Sequence, residues 1–452
     1  MLRRKMTDRL AAWKRDFPNK ALLLVGARQV GKSYVIREFG KREYSGYCEI
    51  NLLDNTAACR ALSEARSAQD FISRVSLFGD GTLVEGDTLV FIDEIQAAPD
   101  IVTMAKFLVE DGRYSWAFSG SMLGTRLKQA RSVPTGFFHE MTMRPLDFEE
   151  FCWAIGLSDA AMDAVRDACV ARRPVDDYLH DAMLANYRSY LVVGGMPEVV
   201  QRFLDTRGNL AIVRELQADL NDQYQQDISK YAQSRALHVR SIFDQLPLQL
   251  EGESQRFVLS SIDKNARFES YERDFVWLVN AGVALKTNLV RELRQPLLQA
   301  ERPGHFKLYQ SDVGMLMARY HVSVAQAAYL DDATPNLGTV YENAVAQELA
   351  AQGQALRYYM VRKRGEVDFL AEDGRGGAVP IEVKSGGYYH AHAALDRLLS
   401  DRPELQLAIV LSRGNVELRE RTLYLPHYAI FCLPEILGQG AHDDFRIEVH
   451  RI

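Results

Sequence analysis

Residues 21–33 read ALLLVGARQVGKS. ALLLVGA (21–27) is a short apolar run of the length of a buried strand. GARQVGKS (26–33) runs directly on from it and fits G-x-x-x-x-G-K-[ST]. The spacing has a physical reason. Gly26 and Gly31 let the loop fold so that backbone N–H groups across Ala27, Arg28, Gln29 and Val30 point inward at phosphate oxygens. Lys32 reaches the β and γ phosphates, and the Ser33 hydroxyl ligates Mg²⁺. The helix that follows directs its positive dipole end at the anion. The ligands this implies are ATP and Mg²⁺.

Outward from the loop, SGYCEINL (45–52), TLVFIDE (88–94) and YSWAFSGS (114–121) also read as buried strands, with helical material between them. Strands alternating with helices predict a parallel sheet with crossover helices. LVFIDEIQ (89–96) ends its strand in Asp93-Glu94. A carboxylate there can hold the Mg²⁺ shell, the part assigned to Asp93, and its neighbour Glu94 can take a proton from an attacking water. The pair favours hydrolysis over group transfer, because a kinase needs an acceptor pocket rather than a poised water. Ser119 or Ser121, at the end of the next strand, is placed to sense the γ-phosphate, although small polar residues there are often plain turns.

The chain has 452 residues, 47% hydrophobic and 25% charged, which are ordinary globular values. They exclude a disordered, collagen-like or disulfide-scaffold protein. The formal charge, 54 − 60 = −6, excludes a basic coat but leaves a local basic groove open. The five cysteines are scattered and form no CxxC pair, which points to a reducing cytoplasm. The first residues, MLRRKMTDRLAAWKRDF, lack the apolar core of a signal peptide, and no apolar run approaches the ~20 residues of a membrane span. The expectation is a cytoplasmic chain without a membrane.

Beyond residue 155 the texture becomes helical. Ala236–Leu248 has helical spacing, and Phe268, Tyr271, Phe275, Leu278 and Val279 form one apolar face that stops at Asn280-Ala281-Gly282. Extended segments follow at Val283–Val290 and His305–Gln310. A helix pair followed by a two-stranded ribbon predicts a winged-helix-like module. Residues 225–320 carry 13 Lys+Arg and 11 Asp+Glu, only weakly basic, so DNA binding there is permitted but not demanded. DDATPNLG (331–338) reads as a linker. After it come a helix, YENAVAQELAAQG, and the strands RYYMV, GEVDFLAE, AVPIEVKS and QLAIVLS, with DGRGG (373–377) turning a hairpin.

This last region carries a second constellation. Glu342 lies on the helix, Asp368 in GEVDF, and Glu382 and Lys384 in IEVK. Positions 382 and 384 share one strand face, and Asp368 sits on the adjoining strand. Glu342, Asp368 and Glu382 are hard oxygen ligands for Mg²⁺, and Lys384 can orient water and offset charge on a phosphodiester. The order Glu, Asp, Glu-x-Lys is that of PD-(D/E)XK nucleases; alternating charges on a hairpin are also commonly a solvated face.

With these residues quoted, the chain resembles a large family of bacterial and archaeal AAA-type ATPases whose C-terminal domain looks like a PD-(D/E)XK nuclease. GARQVGKS, FIDEIQ, RPLDFEEFCWAIG (144–156), YLVVGGMPEVV (190–200), FKLYQSDVGML (306–316), YEN, GEVDF and IEVK match its boxes in order. The resemblance implies ATP binding and hydrolysis, a winged-helix-like middle and a nuclease-like end. Two departures stand out. Phe137 follows SVPTG where many relatives carry Arg or Lys, leaving Arg131 and Arg144 as nearby cations; losing an arginine finger slows turnover. AHAAL (391–395) replaces a Lys-Ser-Leu helix start, with His390 and His392 read either as contacts for phosphate or metal or, the commoner case, as exposed surface histidines. The GGMPE loop (194–198) reads either as a structural turn or as a hinge near the nucleotide.

The predicted architecture is α/β: a P-loop NTPase parallel sheet in residues 1–155, a helical and winged-helix-like middle in 156–330, and a restriction-endonuclease-like α/β domain in 331–452. The leading reading is an ATPase whose nucleotide state controls a DNA-directed C-terminal domain with Asp368, Glu382 and Lys384 at its centre. The alternative is an ATP-gated switch whose nuclease-like domain is a silent docking module. DNA and further copies of the chain are the candidate macromolecular partners.

Overall fold

The structure, a computed structural model, describes residues 2–120, 134–251, 257–262, 267–332, 334–361 and 365–439. Its contacts divide into two compact units. One holds Met1–Pro145, Asp227–Val239 and Glu272–Val283; the other holds Leu146–Gln226, Arg240–Tyr271 and Ala284–Ile452.

The first unit is built on five strands: β1 (Ala21–Gly26), β2 (Gly46–Asn51), β3 (Thr88–Asp93), β4 (Ser115–Gly120) and β5 (Phe138–Met143). They form one sheet in the order β2-β3-β4-β1-β5, and every pair is parallel. A parallel strand covered on both faces reads as a continuous apolar run. That is why β1 and β3 were legible: Ala21–Leu24 and all six residues of β3 are buried. The fifth strand, β5, was not foreseen. Its sequence FHEMTM buries only Phe138, Met141 and Met143, the pattern of an edge strand wetted on one side. The core joins Leu23, Ile50, Phe71, Ile92, Trp116 and Phe118.

The register fixes what lies at the carboxyl edge of this sheet. Gly26 is paired with Met143, Asn51 with Asp93, and Val25 with Gly120. The loop after β1, the carboxylate ending β3 and the serine near the end of β4 therefore share the edge at which open α/β sheets bind ligands. The helix Lys32–Glu43 starts there and buries Lys32, Val35, Ile36 and Phe39, one helical face.

The second unit has two sheets. β6 (Ala284–Val290), β7 (Glu301–Gln310), β8 (Arg357–Val361) and β9 (Gly365–Val367) form one, in the order β7-β6-β8-β9. β10 (Phe369–Glu372), β11 (Ala378–Val383), β12 (Ala408–Ser412), β13 (Glu417–Arg419) and β14 (Thr422–Pro426) form the other, in the order β10-β11-β12-β14-β13. In the second, β11, β12 and β14 are parallel, while β10 and β13 run antiparallel at the edges. The helix Gly338–Ala351 is buried from Thr339 through Ala350.

Three features differ from the linear reading. β6 and β7 pair antiparallel as a ribbon, but the far edge of β6 pairs in parallel with β8. The ribbon is thus part of a four-stranded sheet rather than a free wing. GEVDFLAE breaks at Asp368, and its halves, β9 and β10, enter different sheets. The short antiparallel pair β13–β14 was not anticipated. The helices expected at Ala236–Leu248 and Phe268–Val279 run Ala236–Leu250 and Phe268–Asn280. All five cysteines are free thiols. No helix among the described residues is long and apolar enough to cross a membrane.

Candidate functional site

The loop after β1 adopts backbone angles that its glycines permit. Gly26 has φ 155°, and a Cβ there would lie 2.2 Å from the Met143 carbonyl oxygen, so the close approach of β5 demands glycine. Gly31, at φ 93°, starts the Lys32–Glu43 helix in a left-handed conformation. Gln29, at φ 66°, is a non-glycine residue held in the same region. Strained backbone of this kind persists only where surroundings over-determine it.

Those surroundings include residues far away in sequence. Arg4 donates from Nη1 to the Val30 carbonyl at 3.0 Å and from Nη2 to the Arg144 carbonyl at 2.6 Å, tying the loop to the residue after β5. Arg28 pairs with Asp227 at 2.9 Å. A Cβ on Gly282 would come within 2.8 Å of the Ala27 backbone nitrogen. The glycine read as a helix stop is also the surface against which the loop rests.

Lys32, Ser33, Asp93 and Glu94 converge. Lys32 is buried, and its Nζ donates to the carbonyls of Gly26 (3.0 Å) and Ala27 (2.7 Å). Burial pulls its pKa down to about 8, against the opposing pull of Glu94 and Asp93. The Ser33 hydroxyl donates to Asp93 Oδ2 at 2.6 Å, and the Glu94 backbone N–H to Asp93 Oδ1 at 2.9 Å. Ser119, fully buried, also donates its hydroxyl to Asp93 Oδ1. Glu94 has φ 58°, and Gln96 donates to its carboxylate. Burial, then the charge of Asp93, raise the Glu94 carboxyl above its ordinary range, while Gln96 and Lys32 oppose the shift.

The residues present suit a magnesium nucleotide. The Ser33 hydroxyl and the Asp93 carboxylate are hard oxygen donors already in contact, and the close approach at Gly26 keeps side chains out of the loop. Of the alternatives raised by the sequence, Ser121 and Arg131 lie outside the described residues. Phe137 is half-buried, with Lys106 Nζ 5.8 Å from its ring centroid. Arg144 follows the Met143–Gly26 pair directly, and burial lowers its pKa.

In the second unit the structure brings Glu342, Asp368, Glu382 and Lys384 together and adds residues that the sequence did not single out. Lys384 Nζ lies 2.8 Å from Glu382 Oε1, and the Val383 N–H donates to Asp368 Oδ2 at 2.8 Å. Tyr309 donates its hydroxyl to Glu342 Oε2 at 3.1 Å. Lys307, fully buried, puts its Nζ 2.6 Å from Glu366 Oε1, 3.5 Å from Glu342 Oε2 and 5.3 Å from the Tyr358 ring centroid. Burial, then Glu342 and Glu382, push the Asp368 carboxyl well above the usual range, with Lys307 opposing. The Glu382 carboxyl is raised as well, chiefly by burial. Its Oε2 is buried with no hydrogen-bond partner. Among the described residues, no group of three or more His, Cys, Asp or Glu side chains is arranged to hold a metal ion. In this arrangement one oxygen of each carboxylate faces a donor: Glu342 Oε2 the Tyr309 hydroxyl, Asp368 Oδ2 the Val383 N–H, and Glu382 Oε1 the Lys384 ammonium.

Other motifs find structural roles. Gly195 donates its N–H to Asp312 Oδ2 at 2.6 Å and accepts from the Leu146 N–H at 2.7 Å. A Cβ on Gly194 would lie 2.7 Å from the Gly314 nitrogen. The GGMPE loop and the segment around Asp312 are thus knitted together as a structural turn. His392 is buried, not exposed, with Nε2 2.7 Å from the Tyr424 hydroxyl; His390 is exposed.

Comparison with known proteins gives the following. Residues 18–152 match a family model described as an AAA domain. Residues 184–325 and 337–430 match two models described as domains of unknown function (DUF8612 and DUF4143). No curated protein matches the chain. Similar solved structures include a Walker-type ATPase of Pyrococcus abyssi, PABY2304, with 12% identity over 71% of this chain and 96% of that one and a TM-score of 0.43. The ORC1 protein of Aeropyrum pernix in complex with DNA shows 12% identity over 73% and 91%, with a TM-score of 0.26. PCH-2 of C. elegans shows 14% identity over 40% and 47%, with a TM-score of 0.20. With its parallel five-stranded sheet and its glycine-framed loop, the segment from residue 18 to 152 is an AAA-type P-loop ATPase domain.

Proposed function

We propose that this chain binds ATP with Mg²⁺ at Gly26–Ser33 and hydrolyses it, and that its nucleotide state governs a nuclease-like, DNA-directed C-terminal domain. The observation that carries the ATPase reading is the Ser33 hydroxyl 2.6 Å from the Asp93 carboxylate, with Lys32 buried beside them. Ser33 and Asp93 would hold the metal, which when bound offsets charge on the phosphates. Lys32 exchanges its two loop carbonyls for phosphate oxygens. Glu94 takes a proton from water; a carboxylate whose proton affinity burial has raised is suited to that. Ser119 holds Asp93 in place from behind.

Lys32→Ala should abolish ATP binding, measured with a fluorescent nucleotide. Glu94→Gln should keep binding and stop phosphate release. Unchanged hydrolysis in both variants overturns the assignment. Free phosphate produced without any acceptor separates a hydrolase from a kinase.

One observation favours a second reading for the C-terminal domain, in which it is a silent docking module and the chain an ATP-gated switch. The buried Lys307 ammonium lies 3.5 Å from Glu342 Oε2, one of the carboxylates that a nuclease would use for metal. Incubation with Mn²⁺ and linear, branched or single-stranded DNA separates the two: cleavage that disappears in Asp368→Ala supports a nuclease, and binding without cleavage supports the docking module.

A further inference from the structure

In the second unit, four carboxylates, Glu342, Glu366, Asp368 and Glu382, meet two ammonium groups, Lys307 and Lys384. Lys384 is partly exposed and pairs along its own strand with Glu382, two positions away. Lys307 is different. It comes from β7, its side chain has no exposure, and it reaches Glu342 on the buried helix and Glu366 on β9. The Tyr358 ring lies beneath it at 5.3 Å, and Tyr309, two residues along the same strand, donates to the Glu342 oxygen nearest Lys307. A buried ammonium is costly unless paired this completely.

A divalent cation makes different demands. Mg²⁺ needs several oxygens at about 2.0–2.1 Å in octahedral array. Here Glu342 Oε2 faces Lys307 and Tyr309, Asp368 Oδ2 faces the Val383 N–H, and Glu382 Oε1 faces Lys384. Glu382 Oε2, on a side chain 8% exposed, is buried without a hydrogen-bond partner. The cluster thus keeps the anionic donors of a cation site while its positive charge is supplied from within the chain.

We infer that Lys307 is an internal cation that closes the C-terminal carboxylate cluster, so that a divalent metal enters only when its ammonium is displaced or removed. This rests on the C-terminal half of the proposed function and is independent of the ATPase half. It makes the cluster a latent cation site: the conformation seen here is the closed state, and the test of closure is metal occupancy rather than cleavage.

Mn²⁺ is titrated into the nucleotide-free full chain, and free ion is counted by electron paramagnetic resonance. Comparing each protein with its Asp368→Asn counterpart isolates the C-terminal site from weak binding elsewhere. The wild-type and Asp368→Asn curves should superimpose. Lys307→Met should gain one bound Mn²⁺ per chain, and adding Asp368→Asn should remove it. Should Lys307→Met fail to fold by circular dichroism, Lys307→Gln, which keeps an N–H donor without the charge, takes its place. A wild-type chain that binds one Mn²⁺ more than Asp368→Asn overturns the inference while strengthening the nuclease reading. A folded Lys307 variant that gains no ion also overturns it. Neither outcome touches ATP hydrolysis, which Lys32 and Glu94 variants report separately.

Discussion

Replacing the P-loop lysine should make the nucleotide-free protein more stable. Lys32 is 7% exposed, and burial moves its pKa from 10.5 down to about 8. A shift of that size corresponds to about 3 kcal/mol, at roughly 1.4 kcal/mol per unit. The sign follows from linkage. The folded state binds this proton more weakly than the unfolded chain, so the full penalty applies below about pH 8 and is relieved as pH rises towards 10.5. Lys32→Met keeps the length of the side chain and removes the charge. Against the gain stands the loss of two hydrogen bonds, to Gly26 and Ala27, about 1 kcal/mol each. The net expectation is a variant about 1–2 kcal/mol more stable at pH 7, with nucleotide binding abolished. Its advantage should shrink by about 2 kcal/mol between pH 7 and 9.5. The assay is urea unfolding followed by tryptophan fluorescence, Trp116 being in the core of the same unit. A variant that is less stable at pH 7, or a difference that ignores pH over this range, refutes the account of Lys32 as a strained buried charge.

Two further outcomes test the rest of the fold. Gly195→Ala places a Cβ 2.0 Å from the Leu146 carbonyl oxygen and 2.7 Å from its nitrogen, backbone that cannot yield cheaply. It should cost at least the 1–3 kcal/mol typical of overpacking, seen as a lower thermal midpoint or lost soluble yield, and an unchanged midpoint contradicts the structural-turn assignment. Arg235→Ala strands Asp274, whose side chain is 1% exposed. Because Arg235 is itself 41% exposed, the loss should fall near or below the low end of the usual range, about 2–3 kcal/mol, and Arg235→Ala with Asp274→Leu should recover part of it in chemical denaturation.

Much of the first unit was legible in the linear chain. ALLLVG and TLVFID are continuous apolar runs because both faces of their strands are covered, and the loop between β1 and its helix is specified by glycines at fixed spacing. β5 escaped because an edge strand wetted on one side keeps polar residues at alternate positions. The partners of the loop escaped for another reason. Arg28 and Asp227 are 199 residues apart, and nothing local in either marks the pairing. In the second unit the four residues read as one constellation do meet. The break at Asp368, which sends GEV and FLAE into different sheets, and the arrival of Lys307 from β7 had no signature in period or composition.

The division has a physical basis. Backbone conformation over a few residues is decided by steric limits on each residue and by hydrogen bonds within the segment, so the loop Gly26–Ser33 and the strand ending in Asp93 could be read directly from their letters. Charge compensation is decided by distance in space. Whether Glu342 and Glu366 face a metal or a lysine depends on which strand lies beside them, and that neighbour, Lys307 on β7, stands 35 and 59 positions earlier in the chain. The sequence alone supplied a nucleotide loop and a set of acidic residues in order. Only the tertiary structure showed that Ser33 and Ser119 both hold Asp93, and that Lys307 stands among the carboxylates of the C-terminal cluster.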